Sequence, residues 1–187
     1  MENEVRDLLL QARRPQDLDA LVLSGVIGMA LKAGRKPLIR GLSEARFQKL
    51  LNEYFIGVSL ENGSGIAPRA DNGDEFNDLV ELLLDNRTRP CEPSAWLSYA
   101  VASAAMGENH LWQDMGLPNR RQLSEFLKLR FAPLADLNTG DMKWKKFFYR
   151  QLCERAGVPV CRSPHCADCA DYGICFGSED EEALPPK

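Results

Sequence analysis

With 187 residues, 44% of them hydrophobic and 27% charged, the chain has the composition of one ordinary globular domain able to bury a real core. A net charge of −4 argues against bulk attraction to nucleic acid, and Met1-Glu-Asn-Glu-Val-Arg-Asp lacks the basic and apolar regions of a secretory signal. No uncharged run reaches the roughly twenty residues a spanning helix needs (Ala20 to Leu31 holds twelve, Pro93 to Gly107 fifteen), so a cytoplasmic protein without membrane contact is expected.

Residues 4–12 predict a short helix, broken before Pro15. Asp17 is placed to cap a second helix running to about Lys32 and ended by Gly34, with Leu18, Leu21, Val22, Val26 and Met29 at helical spacing. Gly25 and Gly28 weaken it locally, which tertiary packing has to offset. Ser43 reads as the N-cap of a third helix, in which Phe47, Leu50, Leu51, Tyr54 and Phe55 form the cleanest amphipathic stripe of the chain. Gly57 to Gly73 is expected to be an extended surface loop.

Asp74 or Glu75 then opens a helix with Phe76, Leu79, Val80, Leu83 and Leu84 on one face, stopped by Pro90. Pro93-Ser94 starts another, through Trp96, Leu97, Ala100, Val101 and Ala104 to Gly107. After His110-Leu-Trp-Gln-Asp114, Asn119 is placed to cap a helix to about Phe131. Asn138 or Thr139 precedes the last helix, Met142 to about Ala156, with Gly157 as its C-terminal glycine and Pro159 beyond. No stretch alternates with period two, and no repeat of 20–50 residues occurs. The expected fold is all-α, a single compact helical domain of about six or seven helices. Residues 1–40 are read as N-terminal helices packed on the core and 41–177 as the main helical part. Residues 178–187, with four consecutive acids and two prolines, are read as an acidic flexible tail.

The chemistry concentrates at the end. Cys161, Cys166, Cys169 and Cys175 fall within fifteen residues as C-x4-C-x2-C-x5-C, whereas the first 160 residues hold only Cys91 and Cys153. In a reducing compartment such a set argues for metal or redox chemistry over disulfides. Thiolates are soft ligands for zinc, copper(I) or iron–sulfur clusters, and a loop this short closes around one centre at little entropic cost. Structural zinc sites usually bring two Cys-x2-Cys-like pairs a dozen or more residues apart. Here there is one such pair with staggered neighbours, which is closer to iron–sulfur runs, although zinc stays open on spacing alone.

The helix feeding the loop has an apolar set of Trp144, Phe147, Phe148 and Leu152, while Lys143, Lys146 and Arg150 recur at i, i+3, i+7. These cations read either as a solvated flank or as a patch for an oxyanion, an anionic cluster or a partner. Cys153 is either a core thiol or a spare ligand; Cys91 reads as a core or surface thiol. His165, within the loop, can ligate or hydrogen-bond a sulfur. His110, beside Trp112 and Asp114, reads as a cap or as a group near a metal.

Three motifs together resemble the NifQ family: His110-Leu-Trp-Gln-Asp-Met-Gly116-Leu, then Asp141-Met-Lys-Trp-Lys-Lys-Phe-Phe-Tyr-Arg-Gln-Leu-Cys153, then the four-cysteine loop closing Cys-Phe-Gly177. The resemblance runs over about residues 40–177, leaving the first 40 residues and the acidic tail outside it. It implies an iron–sulfur protein of nitrogen fixation whose cluster, [4Fe-4S] or a molybdenum–iron–sulfur type, carries molybdenum. It also implies donation of that molybdenum to the scaffold complex on which the nitrogenase iron–molybdenum cofactor is assembled, with the nitrogenase iron protein as co-partner. The ligands carried over are Cys161, Cys166, Cys169 and Cys175, with Cys153, His110 and His165 as additional ligands or supporting groups.

Two other readings are weighed against it. The cysteine spacing is near that of the endonuclease-III-type DNA glycosylases, whose first gap is two residues longer; net charge, the acidic tail and the lack of a Gly-rich phosphate-binding hairpin argue against DNA binding. A zinc-stabilised interaction domain is the third. No Ser–His–Asp order, phosphate loop or committed carboxylate pair is present, so a carrier rather than an enzyme is expected.

Overall fold

Two helices made almost wholly of apolar and small residues organise the first 135 residues. In the computed structural model, which describes residues 3–63, 72–158, 169 and 171–179, these are α2 (Leu18–Lys32) and α5 (Glu92–Ala105). α2 buries eleven of its fifteen residues and α5 ten of its fourteen, so neither leaves a broad polar face. Around them stand α1 (Asn3–Leu10), α3 (Glu44–Tyr54), α4 (Asn72–Asp85), α6 (Leu111–Asp114), α7 (Arg120–Arg130) and α8 (Ala132–Ala135). The stripe of α3 is buried at Phe47, Leu50 and Leu51, and Ser43 caps it by accepting from the Arg46 backbone N–H at 3.4 Å. Asn119 does the same for α7, accepting from the Gln122 N–H at 3.0 Å.

The fold is all-α. Among the described residues there is no strand, only one isolated bridge between Ala12 and Phe55. Among the described residues seven helices have eight residues or more, and α6, α8 and α10 (Tyr172–Phe176) are single turns. The chain divides into two compact units, Met1–Ala135 and Asp136–Lys187; the second holds α9 (Trp144–Arg155) and α10. No helix among the described residues is long and apolar enough to cross a membrane.

The glycines of α2 are explained by close approach. A Cβ on Gly28 would collide with the Val5 backbone of α1, and one on Gly25 with the Met115 carbonyl. Absent side chains let these segments lie directly on α2, and the resulting burial of Val5 at 0% and Met115 at 0% exposure offsets the poor helix propensity.

One buried charge ties three helices. Asp19 of α2, 6% exposed, accepts from Arg130 Nε of α7 at 2.7 Å and from the Tyr54 hydroxyl of α3 at 3.2 Å. Burial, reinforced by the adjacent Asp19 carboxylate, pushes the Tyr54 phenol far above its usual range, so it remains a neutral donor.

The loop expected over Gly57–Gly73 differs at both ends. α4 already begins at Asn72, and Asn62 is a buried clamp, 1% exposed. Its Oδ1 accepts from the Ile39 N–H at 2.8 Å, and its Nδ2 donates to the carbonyls of Ile39 at 3.0 Å and Leu42 at 2.8 Å. Residues 64–71 lie outside the described residues, as do 180–187 of the expected acidic tail; Glu179, in that stretch, is 7% exposed.

Candidate metal centre

In the second unit, α9 is held by an aromatic cluster. Trp144, Phe147 and Phe148 are all at or below 3% exposure, with ring centroids 5.8–6.4 Å apart. The preceding turn is fixed by Asn138 rather than by a helix cap. Its Oδ1 accepts from the Met142 N–H and its Nδ2 donates to the Met142 carbonyl, each at 2.9 Å. Lys143 is the N-cap, and the helix begins at Trp144, two residues later than the expected start.

At the other end, Gly157 takes φ +66° and Val158 N–H donates to the Cys153 carbonyl at 3.0 Å, with Gly157 N–H to Glu154 at 3.3 Å. This is the paired bonding of a Schellman motif, closing the helix with glycine in the left-handed region. It sets the direction in which the chain leaves toward the cysteines.

The chain comes back as a short helix that the sequence pattern does not announce. Tyr172 N–H donates to the Cys169 carbonyl at 3.1 Å, opening α10, and Gly177 N–H closes on Gly173 at 2.8 Å. Tyr172 and Phe176 stack at 4.6 Å, and Phe176 lies against Gly140, where an added Cβ would sit 3.3 Å from its ring. The Cys175 carbonyl accepts from the Lys143 backbone N–H at 2.8 Å. The segment after α9 therefore returns to the start of the same helix. Twelve residues of helix measure about 18 Å, the separation between the Gly157 end of α9 and the end to which Cys175 is bonded. The backbone of Cys175 is thereby placed at the N-terminal end of α9.

Cys169 and Cys175 are half-buried, as is Cys153, and none of the described cysteines is joined in a disulfide. Cys161, Cys166 and His165 lie outside the described residues. Among the described residues no three His, Cys, Asp or Glu side chains gather as a metal set. The donors in place, two accessible thiols on one tethered turn, fit a thiolate-held cluster in chemistry.

The three cations expected to share a face have different surroundings. Lys143 is 7% exposed at the N-cap, and Arg150 Nε is paired with Glu154 at 2.8 Å, which leaves Lys146 as the exposed member. A continuous open cationic row is therefore absent from these three, because the first precedes the helix and the third has an i,i+4 acid. A cavity of about 390 Å3 in this unit is lined by Asn138, Gly140, Phe147, Arg150, Glu154 and Phe176. The positioning residues are Asn138, read in the sequence only as preceding the last helix, and Gly140 and Phe176, which sequence reasoning missed. Asn-Thr-Gly-Asp over 138–141 is a strong turn signal that could have identified the first two.

His110 is in the first unit, at the N-cap of α6, with its backbone N–H donating to Gln113 Oε1 at 3.1 Å. The neighbouring Asp114 is 5% exposed and accepts from Asn109 N and Nδ2 at 3.1 and 3.0 Å. His110 is thus the N-cap residue of a turn, one of the two places read for it.

The comparisons with known proteins agree with the motifs. The family model described as NifQ matches residues 22–177, so most of α2 lies within the family's common region although the motifs themselves begin later. The chain is 36% identical over 155 residues to Protein NifQ of Azotobacter vinelandii, covering 76% of this chain and 80% of that one. It is 37% identical over 150 residues to Protein NifQ of Rhodobacter capsulatus, covering 79% and 82%. To the Protein NifQ homolog of Sinorhizobium fredii it is 34% identical over 176 residues, covering 91% and 76%. No solved structure matches. The chain belongs to the NifQ family, and its role lies in nitrogen fixation.

Proposed function

We propose that the chain is a cytoplasmic carrier, not an enzyme, that holds molybdenum with iron and sulfide and donates it for synthesis of the nitrogenase iron–molybdenum cofactor. Its partners in this reading are the cofactor-assembly scaffold complex and the nitrogenase iron protein. The observation that carries it is the tethered turn: Cys169 and Cys175 are half-buried on a segment bonded back to the start of α9, in a chain of this family. A donor has to hold its cargo and also release it. Cysteines on an accessible turn suit release, and the bond to α9 keeps the turn shaped between transfers.

Cys161, Cys166, Cys169 and Cys175 are assigned as the thiolate ligands, with Cys153, His110 and His165 as candidates for a non-loop ligand or supporting hydrogen bond. Nothing in the family match favours a DNA glycosylase or a zinc-stabilised interaction domain.

The test is metal and sulfide analysis with electron paramagnetic resonance on protein purified anaerobically from cells grown with and without molybdate. Expected are iron in both preparations and molybdenum only in the first, with both metals reduced at least several-fold in Cys166→Ala and Cys169→Ala. Wild-type iron and molybdenum contents in these variants, or zinc as the main occupant, would overturn the assignment.

A further inference from the structure

The first unit holds a cavity of about 460 Å3 lined by α2, the segment 35–41, the C-terminal end of α5 and Asp114. That volume is within the range of small-molecule sites, roughly 300–1,000 Å3. Apolar residues, Val26 and Ala30 of α2, Leu38 and Ala104, share its lining with the cations Arg35, Lys36 and Arg40.

The cationic segment is rigidly built. Asn62 clamps it through three side-chain bonds to Ile39 and Leu42, and its carbonyl accepts from the Leu38 N–H at 3.0 Å. Arg40 N–H donates to Ser103 Oγ at 2.9 Å, and that hydroxyl donates on to the Tyr99 carbonyl at 2.7 Å. The Arg40 guanidinium lies 4.3 Å over the Phe76 ring, which limits its rotation without neutralising it. Lys36 Nζ is committed to the Glu61 carbonyl. The acid on the lining, Asp114, has both oxygens accepting from Asn109. Neither Arg35 nor Arg40 has a carboxylate partner among the described residues.

We propose that this cavity binds a small organic anion, an acidic head group on an apolar body, with Arg35 and Arg40 meeting the head group. Guanidinium groups recognise carboxylate, phosphate and sulfonate oxygens through paired donors. An inorganic oxyanion would occupy a fraction of the volume and leave the apolar lining wet, so the organic body is required. The site is independent of the cysteine turn, and its failure would leave the carrier reading untouched.

The test titrates the full-length protein with 8-anilinonaphthalene-1-sulfonate, followed by fluorescence, alongside the neutral N-phenyl-1-naphthylamine. Expected is one saturable sulfonate site per chain, weakened about tenfold or more in Arg35→Gln/Arg40→Gln, with the neutral probe binding about tenfold more weakly to wild type. Lys146→Gln, which removes an exposed cation in the second unit, should leave binding unchanged. Thermal melts check the double variant; should it melt early, exposed Arg35→Gln alone serves as the readout, with about a threefold loss expected. Equal affinity for the wild type and the arginine variants, equal affinity for both probes, or an equal loss in Lys146→Gln would overturn the proposal.

Discussion

The backbone N–H of Lys143 donates to the Cys175 carbonyl at 2.8 Å, joining the N-cap residue of α9 to the last cysteine of the segment that leaves its other end. Lys143 has φ −51°, which proline tolerates, so Lys143→Pro removes this donor at little conformational cost while Lys143→Ala keeps it. A net hydrogen bond is worth about 0.5–1.5 kcal/mol, or roughly 2–12-fold in a local opening equilibrium. Amide hydrogen exchange over 172–177 should accelerate by that factor in Lys143→Pro relative to Lys143→Ala. Equal exchange in the two variants would show that the bond does not hold α10.

The glycines of α2 give a prediction whose sign is informative. Propensity alone says that Gly28→Ala stabilises the helix by about 1 kcal/mol. The added methyl meets the Val5 backbone, which cannot move as a side-chain tip can, and overpacking costs about 1–3 kcal/mol or more. The clash wins. Gly28→Ala and Gly25→Ala should each lower Tm by several degrees, about 2–4 °C per kcal/mol for a chain of this size. A rise in Tm would show that α1 and the Met115 carbonyl stand farther from α2.

The Asp19–Arg130–Tyr54 group should behave as a unit. Arg130→Gln leaves Asp19 nearly buried with only the Tyr54 hydroxyl to bond, whereas Asp19→Asn/Arg130→Gln removes both charges. Because Arg130 is 37% exposed at its side chain, the single change is expected to cost about 1–3 kcal/mol rather than the full penalty of a buried unpaired charge. The double variant should lose less than the sum of the two singles in denaturant melts. Strict additivity would mean that the three groups do not share one interaction.

How much of this was legible beforehand follows from which interactions are local. The α3 stripe, the caps at Ser43 and Asn119 and the Gly157 stop rest on neighbours within a few residues, and all three appear as read. Gly25 and Gly28 were seen as weak points, but their partners, Val5 and Met115, come from distant parts of the chain. Asn62 looked like loop filler because its bonds go to Ile39 and Leu42, some twenty residues back. At the candidate site the cysteine spacing was visible, while the return of Cys175 to Lys143 was not. A backbone hydrogen bond across thirty-two residues leaves no mark in side-chain pattern. The i, i+3, i+7 cations shared a helical face on paper, yet Lys143 falls before the helix begins and is buried.

Acid should loosen the first unit through a small set of carboxylates. Its hydrogen bond with Arg46 Nε, whose ion pair measures 3.0 Å, holds the Glu92 carboxyl below its ordinary 4.5. Glu44 is likewise lowered, by its bond with Gln48 and by the Gly63 and Asn62 N–H groups. A depressed folded-state value means that the unfolded chain takes up protons first on acidification. The stabilisation is therefore complete above the unfolded value near 4.5 and is lost as pH falls through the lower folded values. Glu92 is half-exposed, so the pair contributes no more than about 1 kcal/mol and is screened by salt. Denaturant midpoints should be nearly independent of these groups from pH 7 to about pH 5.5, then fall toward about pH 3, with a shallower fall in Glu92→Gln. In roughly 1 M salt the difference between wild type and Glu92→Gln should shrink, because the interaction is at the surface. An equally steep acid limb in Glu92→Gln at low salt would place the responsible protonation elsewhere.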